Sequence, residues 1–223
     1  MLIAIDGPSG AGKGTVARTI AARLNFRHVD TGAMYRAVAW RSRQLGVDLS
    51  NAPEVASVAE RAAFGLSSRI EIDGHDVTLA IRTTDMDAAA ATVARHPEVR
   101  RVLVSRQREM GRAGGVVMEG RDIGTVVFPD AAVKVYLDAA PDERARRRAQ
   151  DAAHGASRLS ETGGHVGQIA EALEARDRSD RTREISPLTC APDAVYIDTT
   201  GVAISDVVQQ VMELVTRRSS RAY

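Results

Sequence analysis

Leu2-Ile3-Ala4-Ile5-Asp6-Gly7-Pro8-Ser9-Gly10-Ala11-Gly12-Lys13-Gly14-Thr15 runs a short apolar stretch straight into a glycine-rich turn and a lysine, with helix-favouring residues following from Val16 to Leu24. An unbroken aliphatic run of this length suits a strand buried on both faces. Gly7, Gly10 and Gly12 permit a tight turn whose backbone N–H groups converge on an anion, the helix N-terminus adds its dipole, and Lys13 supplies a point charge. The spacing predicts a phosphate-binding loop built from Gly7, Pro8, Ser9, Gly10, Ala11, Gly12, Lys13, Gly14 and Thr15, with nucleoside triphosphate as its ligand. The general pattern puts Ser or Thr directly after the lysine; here Gly14 intervenes before Thr15.

Outward from the loop, Arg27-His28-Val29 reads as a strand, and Asp30 and Thr31 are cap residues for a helix over Ala33 to about Leu45. Further helices are expected over Pro53–Ala63, Met86–Arg95, Pro97–Gly111, Pro141–Asp151 and Val202–Val215. Ile70-Glu71-Ile72 and Val77-Thr78-Leu79 flank Asp73-Gly74-His75, which predicts an inserted antiparallel hairpin. Val116-Val117-Met118, Val133 to Leu137 and Val195-Tyr196-Ile197 complete a set of five strands separated by helices, hence a parallel α/β sheet.

The chain has 223 residues, enough for one well-buried core with an excursion from it. Its net charge of +1 gives no bulk electrostatic case for a nucleic-acid or membrane partner. Lys13 and Lys134 are the only lysines beside 28 arginines. A compact ammonium at a phosphate does what a guanidinium does not do in the same way. The single cysteine, Cys190, excludes an intramolecular disulfide and a cysteine-rich metal site. With no signal-peptide pattern and no membrane-length apolar run, the expected location is the cytoplasm. The histidines at 28, 75, 96, 154 and 165 lack metal-ligand spacing and read as surface or turn residues, and the absence of heptads predicts a monomer.

Three polar clusters exceed what a core needs: Asp30 to Arg36, Glu119 to Thr125, and Arg176 to Arg183. Together they could surround a second, anionic ligand. Arg121-Asp122 follows a predicted strand, so it should emerge at the carboxyl edge of the sheet, where ligands bind. Arg144 and Arg148 share one helix face in a segment that reads as the start of a lid, and Arg148 is the residue expected to reach the transferring phosphates. Each of these arginines could equally serve as a solvated helix residue.

Gly-Lys-Gly-Thr is similar to the loop of small nucleotide kinases. With Asp30-Thr31-Gly32-Ala33-Met34-Tyr35-Arg36, Ile81-Arg82-Thr83, Gly120 to Asp130 and Arg176 to Arg181, the chain resembles the bacterial cytidylate kinases from Ile3 to about Pro187. That resemblance implies a P-loop nucleoside-monophosphate-kinase fold, α/β, with a five-stranded parallel sheet, a small β-containing insert and a short lid. It divides one domain, 1–223, into a core (1–31, 114–140, 188–223), a monophosphate-binding region with the insert (32–113) and a lid region (141–183). It implies transfer of the γ-phosphoryl group of ATP to CMP or dCMP, with Mg²⁺ beside Thr15. By the same resemblance Arg36, Arg121 and Arg183 hold the acceptor phosphate, Arg176 and Asp180 its sugar, and Thr31, Arg100 and Asp122 the cytosine. Where many members place a serine near the base, this chain has Ala91.

Phosphoryl transfer needs positioning, charge neutralisation and exclusion of water more than covalent help, so Lys13, Arg36, Arg121, Arg148 and Arg183 are the expected catalytic residues and no general base is assigned. The alternatives are a kinase for UMP, AMP or shikimate, and a nucleotide-dependent switch without transfer activity. A switch needs the loop but not a second phosphate clamp.

Overall fold

The computed structural model describes residues 1–67, 69–150 and 164–220, and of residues 164–166 the backbone alone. The chain opens with β1 (Leu2–Asp6) and α1 (Lys13–Leu24), followed by β2 (Arg27–Asp30), α2 (Thr31–Gln44) and α3 (Ala52–Arg61). Next come β3 (Phe64–Leu66), β4 (Ile70–Ile72), β5 (His75–Asp76), α4 (Thr84–Val93) and α5 (Pro97–Gly111). The chain then returns through β6 (Val116–Glu119), a π-helical turn (Ile123–Val127), β7 (Val133–Asp138), α6 (Pro141–Gln150), α7 (Gly164–Arg181), β8 (Val195–Asp198) and α8 (Ile204–Ser219).

The main sheet has the order β2-β6-β1-β7-β8, parallel throughout. Every residue of β1 is buried, as its unbroken aliphatic sequence requires of a central strand covered on both faces. One face packs Ile3, Ile5, Val117, Val135 and Leu137 against Val16 and Ile20 of α1 and Val207, Val208 and Val211 of α8. The other packs Ala4, Val29 and Met118 against Val104 of α5 and Ile123 and Val127 of the π-helical turn. The register sets Asp30 beside Glu119 and Glu119 beside Ile5, so the carboxyl ends of β2, β6 and β1 open side by side. Chain connections diverge there: β1 lies between β6 and β7, the kind of switch point that leaves a crevice for ligand.

Between β2 and β6 the excursion builds a core of its own. Met34, Val38, Val55, Ile72, Val77, Ile81, Val93, Val99 and Leu103 pack α2, α3, α4 and α5 around one face of a small antiparallel sheet, β3-β4-β5. That sheet differs from the expected hairpin in its second arm, which is His75–Asp76 rather than Val77–Leu79. The cause is the turn: Asp73 and Gly74 both have positive φ (51° and 78°), a two-residue turn that pairs Ile72 directly with His75. Val77 is consequently free to enter the core, and Leu79 is left 79% exposed.

Helix boundaries follow their caps. The Asp30 carboxylate accepts from Ala33 N–H at 2.9 Å, Thr83 Oγ1 accepts from Met86 N–H, and Pro97 opens α5. Helix α2 begins two residues earlier than its sequence suggests, since Thr31 is already helical and its hydroxyl donates instead to the Glu119 carbonyl at 2.7 Å. Residues 141–183, expected to form a lid region, contribute α6 and α7; residues 151–163 lie outside the described residues.

Candidate active site

The loop after β1 wraps a cavity of about 510 Å³ at the open edge of the sheet. Gly7 lets the chain leave β1 against β7: its φ is 143°, and a Cβ there would stand 1.9 Å from the Leu137 carbonyl oxygen. Helix α1 starts at Lys13 with no acidic residue in its first turn, so no side chain of that turn competes for its first N–H groups. Ser9, Gly10, Gly12, Lys13, Gly14 and Thr15 line the space. Gly7, Pro8 and Ala11 lie beneath it, Ala11 fully buried in the core and Pro8 offering its carbonyl oxygen to Lys13 Nζ at 2.6 Å.

Behind the loop, Arg144 of α6 is buried and donates to the Ser9 carbonyl at 3.0 Å and to Asp177, whose other oxygen accepts from Ser9 N–H at 3.3 Å. Arg144 therefore props the loop and stays out of the cavity wall, while Arg147 and Arg148 line it. Asp6, the last residue of β1, accepts from the N–H groups of Ile123 (2.9 Å) and Gly124 (2.7 Å) and so pins the turn that follows Arg121-Asp122. Burial pushes its carboxyl up to about 6, against the pull of those two N–H groups. Burial likewise pulls Lys13 down to about 7, with Arg121 adding to the effect and Glu119 and Asp177 opposing it.

Thr31, Arg36, Arg100, Arg121, Asp122, Arg148, Arg176, Asp180 and Arg183, drawn from five separate parts of the chain, all converge on this same cavity. Ten cationic side chains and five carboxylates line it, on a chain whose net charge is +1. Arg121 Nε donates to Asp180 at 2.9 Å, and Arg183 is 3.3 Å from the same carboxylate. Burial opposes ionisation of Asp180, but Arg121, Arg176 and Arg183 together hold it below the usual carboxylate range. Arg36 donates to Asp30 at 2.9 Å. Arg100 and Asp122 form a buried ion pair, with the Arg100 guanidinium 5.6 Å from the centroid of the Tyr35 ring. Beside this pair Ala90, Ala91 and Ala94 supply an apolar wall suited to a flat ring.

The Nε atoms of Arg36, Arg100, Arg176 and Arg183 are buried without a hydrogen-bond partner among the described residues. Buried guanidinium donors are normally satisfied, so the four orphans leave hydrogen-bonding capacity unspent in arginines that line this cavity.

Several site residues are given no individual role by the sequence. Glu119 ends β6 beside the loop, and a Cβ on Gly14 would meet its Oε1 at 3.3 Å. The glycine inserted between Lys13 and Thr15 thus makes room for a carboxylate. An acid terminating an aliphatic strand next to the loop strand was the available signal. His28, read as a surface or turn residue, is instead half-buried on β2 with Nε2 2.8 Å from Glu119 Oε1. His75 meets Trp40 in a tilted ring contact, centroids 5.6 Å apart, and His96 bonds the Leu49 carbonyl; His154 and the side chain of His165 lie outside the described residues. Asp87, Arg18 and Arg82 also line the cavity, and Arg147 and Ile204 bound its end near Gly12. Arg147 is fixed there by Glu143 (2.7 Å) and by the hydroxyl and carbonyl of Thr199 (2.8 and 2.6 Å).

A family model described as cytidylate kinase matches residues 3–217. The chain belongs to the cytidylate kinase family. It is 47% identical to the cytidylate kinase of Solibacter usitatus, across 98% of this chain and 93% of that one. It is 43% identical to that of Geobacillus kaustophilus, across 97% and 96%. A gluconokinase structure from Sinorhizobium meliloti shares the fold at a TM-score of 0.52 and 13% identity, covering 99% of this chain and 94% of that one. Family membership makes the chain a nucleoside monophosphate kinase.

Proposed function

We propose that this cavity transfers the γ-phosphoryl group of ATP to CMP or dCMP, giving ADP and CDP or dCDP, with the acceptor seated among the arginines and the donor on the loop. The convergence of Arg36, Arg121, Arg176 and Arg183 on the cavity that the loop also lines carries this reading, because guanidinium forks gathered at one place suit the oxygens of a second phosphate-bearing ligand. The backbone N–H groups of Gly10 to Thr15 and Lys13 hold the donor phosphates, and the donor base lies toward Arg147 and Ile204. Arg36, Arg121 and Arg183 clamp the acceptor phosphate, Arg176 and Asp180 take its sugar, and Arg148 reaches from α6 toward the group in flight.

Thr31, Arg100 and Asp122 read the base. The Asp122 carboxylate accepts from an exocyclic amine and leaves a carbonyl in that place unpaired, which favours cytosine over uracil. Ala91 brings no hydroxyl to this contact, so the Arg100–Asp122 pair carries the discrimination.

Mg²⁺ fits this reading through Thr15 and Glu119, the hydroxyl and carboxylate that flank Gly14. Among the described residues no cluster of three or more His, Cys, Asp or Glu could hold a metal by itself, so the ion would be shared with phosphate oxygens. When bound it neutralises charge building on the donor phosphates. We take the protein to act as a monomer in the cytoplasm, on small molecules alone, with residues 32–113 and 141–183 closing over the core 1–31, 114–140 and 188–223.

The test is an ADP-release assay with Mg-ATP, offering CMP, dCMP, UMP, AMP and shikimate separately to the wild type and to Asp122→Ala. Turnover of CMP and dCMP that collapses in the variant is the expected result. Turnover of another acceptor would overturn the base assignment, and ATP binding without any turnover would overturn the reaction.

A further inference from the structure

Asp87 belongs to none of the groups assigned so far. It sits in the first turn of α4, partly buried in the cavity wall, and three arginines from three other elements meet it. Arg176 of α7 reaches its Oδ1 at 2.7 Å, Arg148 of α6 bonds its Oδ2, and Arg36 of α2 stands 4.0 Å from Oδ1. Burial opposes its ionisation, but Arg176, Arg148 and Arg36 prevail and hold its carboxyl below the usual range. These three arginines are also the ones that the proposed reaction directs at the acceptor phosphate, the acceptor sugar and the transferring group.

We propose that Asp87 is a positioning residue that stands in for substrate: its carboxylate holds the lid-side arginines and Arg36 at the cavity wall, and incoming phosphate oxygens take them over. The inference rests on the placement of the acceptor described above. Its geometry is that of a bridge, because Asp87 lies on the monophosphate-binding region while Arg148 and Arg176 lie on α6 and α7. One carboxylate therefore spans two parts of the chain, and no phosphate is needed to draw them together. The Nε atoms of Arg36 and Arg176 remain unsatisfied in this arrangement, so a ligand offering more oxygens competes well for both. Part of the acceptor's binding energy is then spent on displacing Asp87, which weakens the binding of phosphate alone and favours an occupant that fills the whole site.

The measurement compares wild type with Asp87→Asn, Asp87→Ser and Asp87→Glu in two ways: calorimetric titration with inorganic phosphate, and the KM and kcat for CMP at saturating Mg-ATP. Circular dichroism confirms folding, and the serine variant, small and tolerated in a first helical turn, carries the test if the asparagine variant fails to fold. Loss of one charge-assisted competitor should tighten phosphate binding and lower the KM for CMP about tenfold in the neutral variants without raising kcat. Asp87→Glu should recover the wild-type values, since it keeps the charge. Unchanged or weaker phosphate binding in the neutral variants, or a glutamate variant that behaves like them, overturns the proposal. The phosphate titration reads Asp87 whether or not CMP turns over, so failure of the acceptor assignment shows separately, as a wild type without CMP turnover.

Discussion

Replacing Asp6 by asparagine should change the pH dependence of stability in a direction and amount that the geometry sets. The carboxylate is buried at the end of β1, accepts two backbone N–H groups, and has its carboxyl pushed from 3.8 to about 6, chiefly by burial. The folded state thus holds the Asp6 proton more tightly than the unfolded chain. Its stabilising contribution, about 3 kcal/mol for a shift of about two units, is complete below pH 3.8 and is lost as pH rises through about 6. Between pH 5 and pH 7.5 the wild type should therefore lose on the order of 1 kcal/mol relative to Asp6→Asn, which has no proton to release. Asparagine can accept only one of the two N–H groups well, a pH-independent cost of about 1–3 kcal/mol on top. Urea unfolding at pH 5, 6, 7 and 7.5, followed by the fluorescence of the sole tryptophan, Trp40, gives the gap between the two proteins at each pH. A gap that narrows by on the order of 1 kcal/mol as pH rises is expected. A constant gap, or one that widens with pH, would refute a buried carboxyl raised by desolvation.

Other expectations concern the reaction. Asp122→Ala should lower kcat/KM for CMP by about 100-fold while leaving ATP affinity within about twofold, because one charge-assisted contact to the base is lost and its buried partner Arg100 is left unpaired; steady-state kinetics beside ATP titration separate the two. Lys13→Arg keeps the charge but cannot seat a planar fork where Nζ lies 2.6 Å from the Pro8 carbonyl, so the KM for ATP should rise at least about tenfold. Glu119→Gln should raise the Mg²⁺ concentration for half-maximal rate by about tenfold with little change in the KM for CMP, and a metal titration that leaves this midpoint unmoved would remove Glu119 from the metal site.

The elements that could be read in the sequence are those specified locally. The strand, turn and helix from Leu2 to Leu24 lie within one stretch of chain, and the five strands of the main sheet announce themselves by unbroken aliphatic runs. Arg36, Arg121 and Arg183 could be proposed because they recur in motifs carried by the family resemblance. Asp87 could not, since its meaning depends on Arg148 and Arg176 coming from residues 61 and 89 positions away, across a contact between α4 and helices α6 and α7. The same limit hid the place of Glu119, which depends on Gly14 leaving space for it. The second arm of the hairpin was misplaced because alternating apolar residues at Val77 and Leu79 looked strand-like, whereas the two-residue turn at Asp73-Gly74 had already set the pairing. The π-helical turn has no periodic signal; two N–H groups bonded to Asp6, more than a hundred residues earlier, hold it.

The charge of the cavity has a consequence at long range. Its lining carries five more positive than negative side chains, yet the chain as a whole is at +1, so the other described residues sum to a formal −4. A nucleotide approaching from solution is repelled by most of the molecule and attracted at one mouth, where low-dielectric walls concentrate the field. Collisions are thereby sorted before contact, and the rate at which both nucleotides reach their seats should fall steeply as salt shortens the reach of that field.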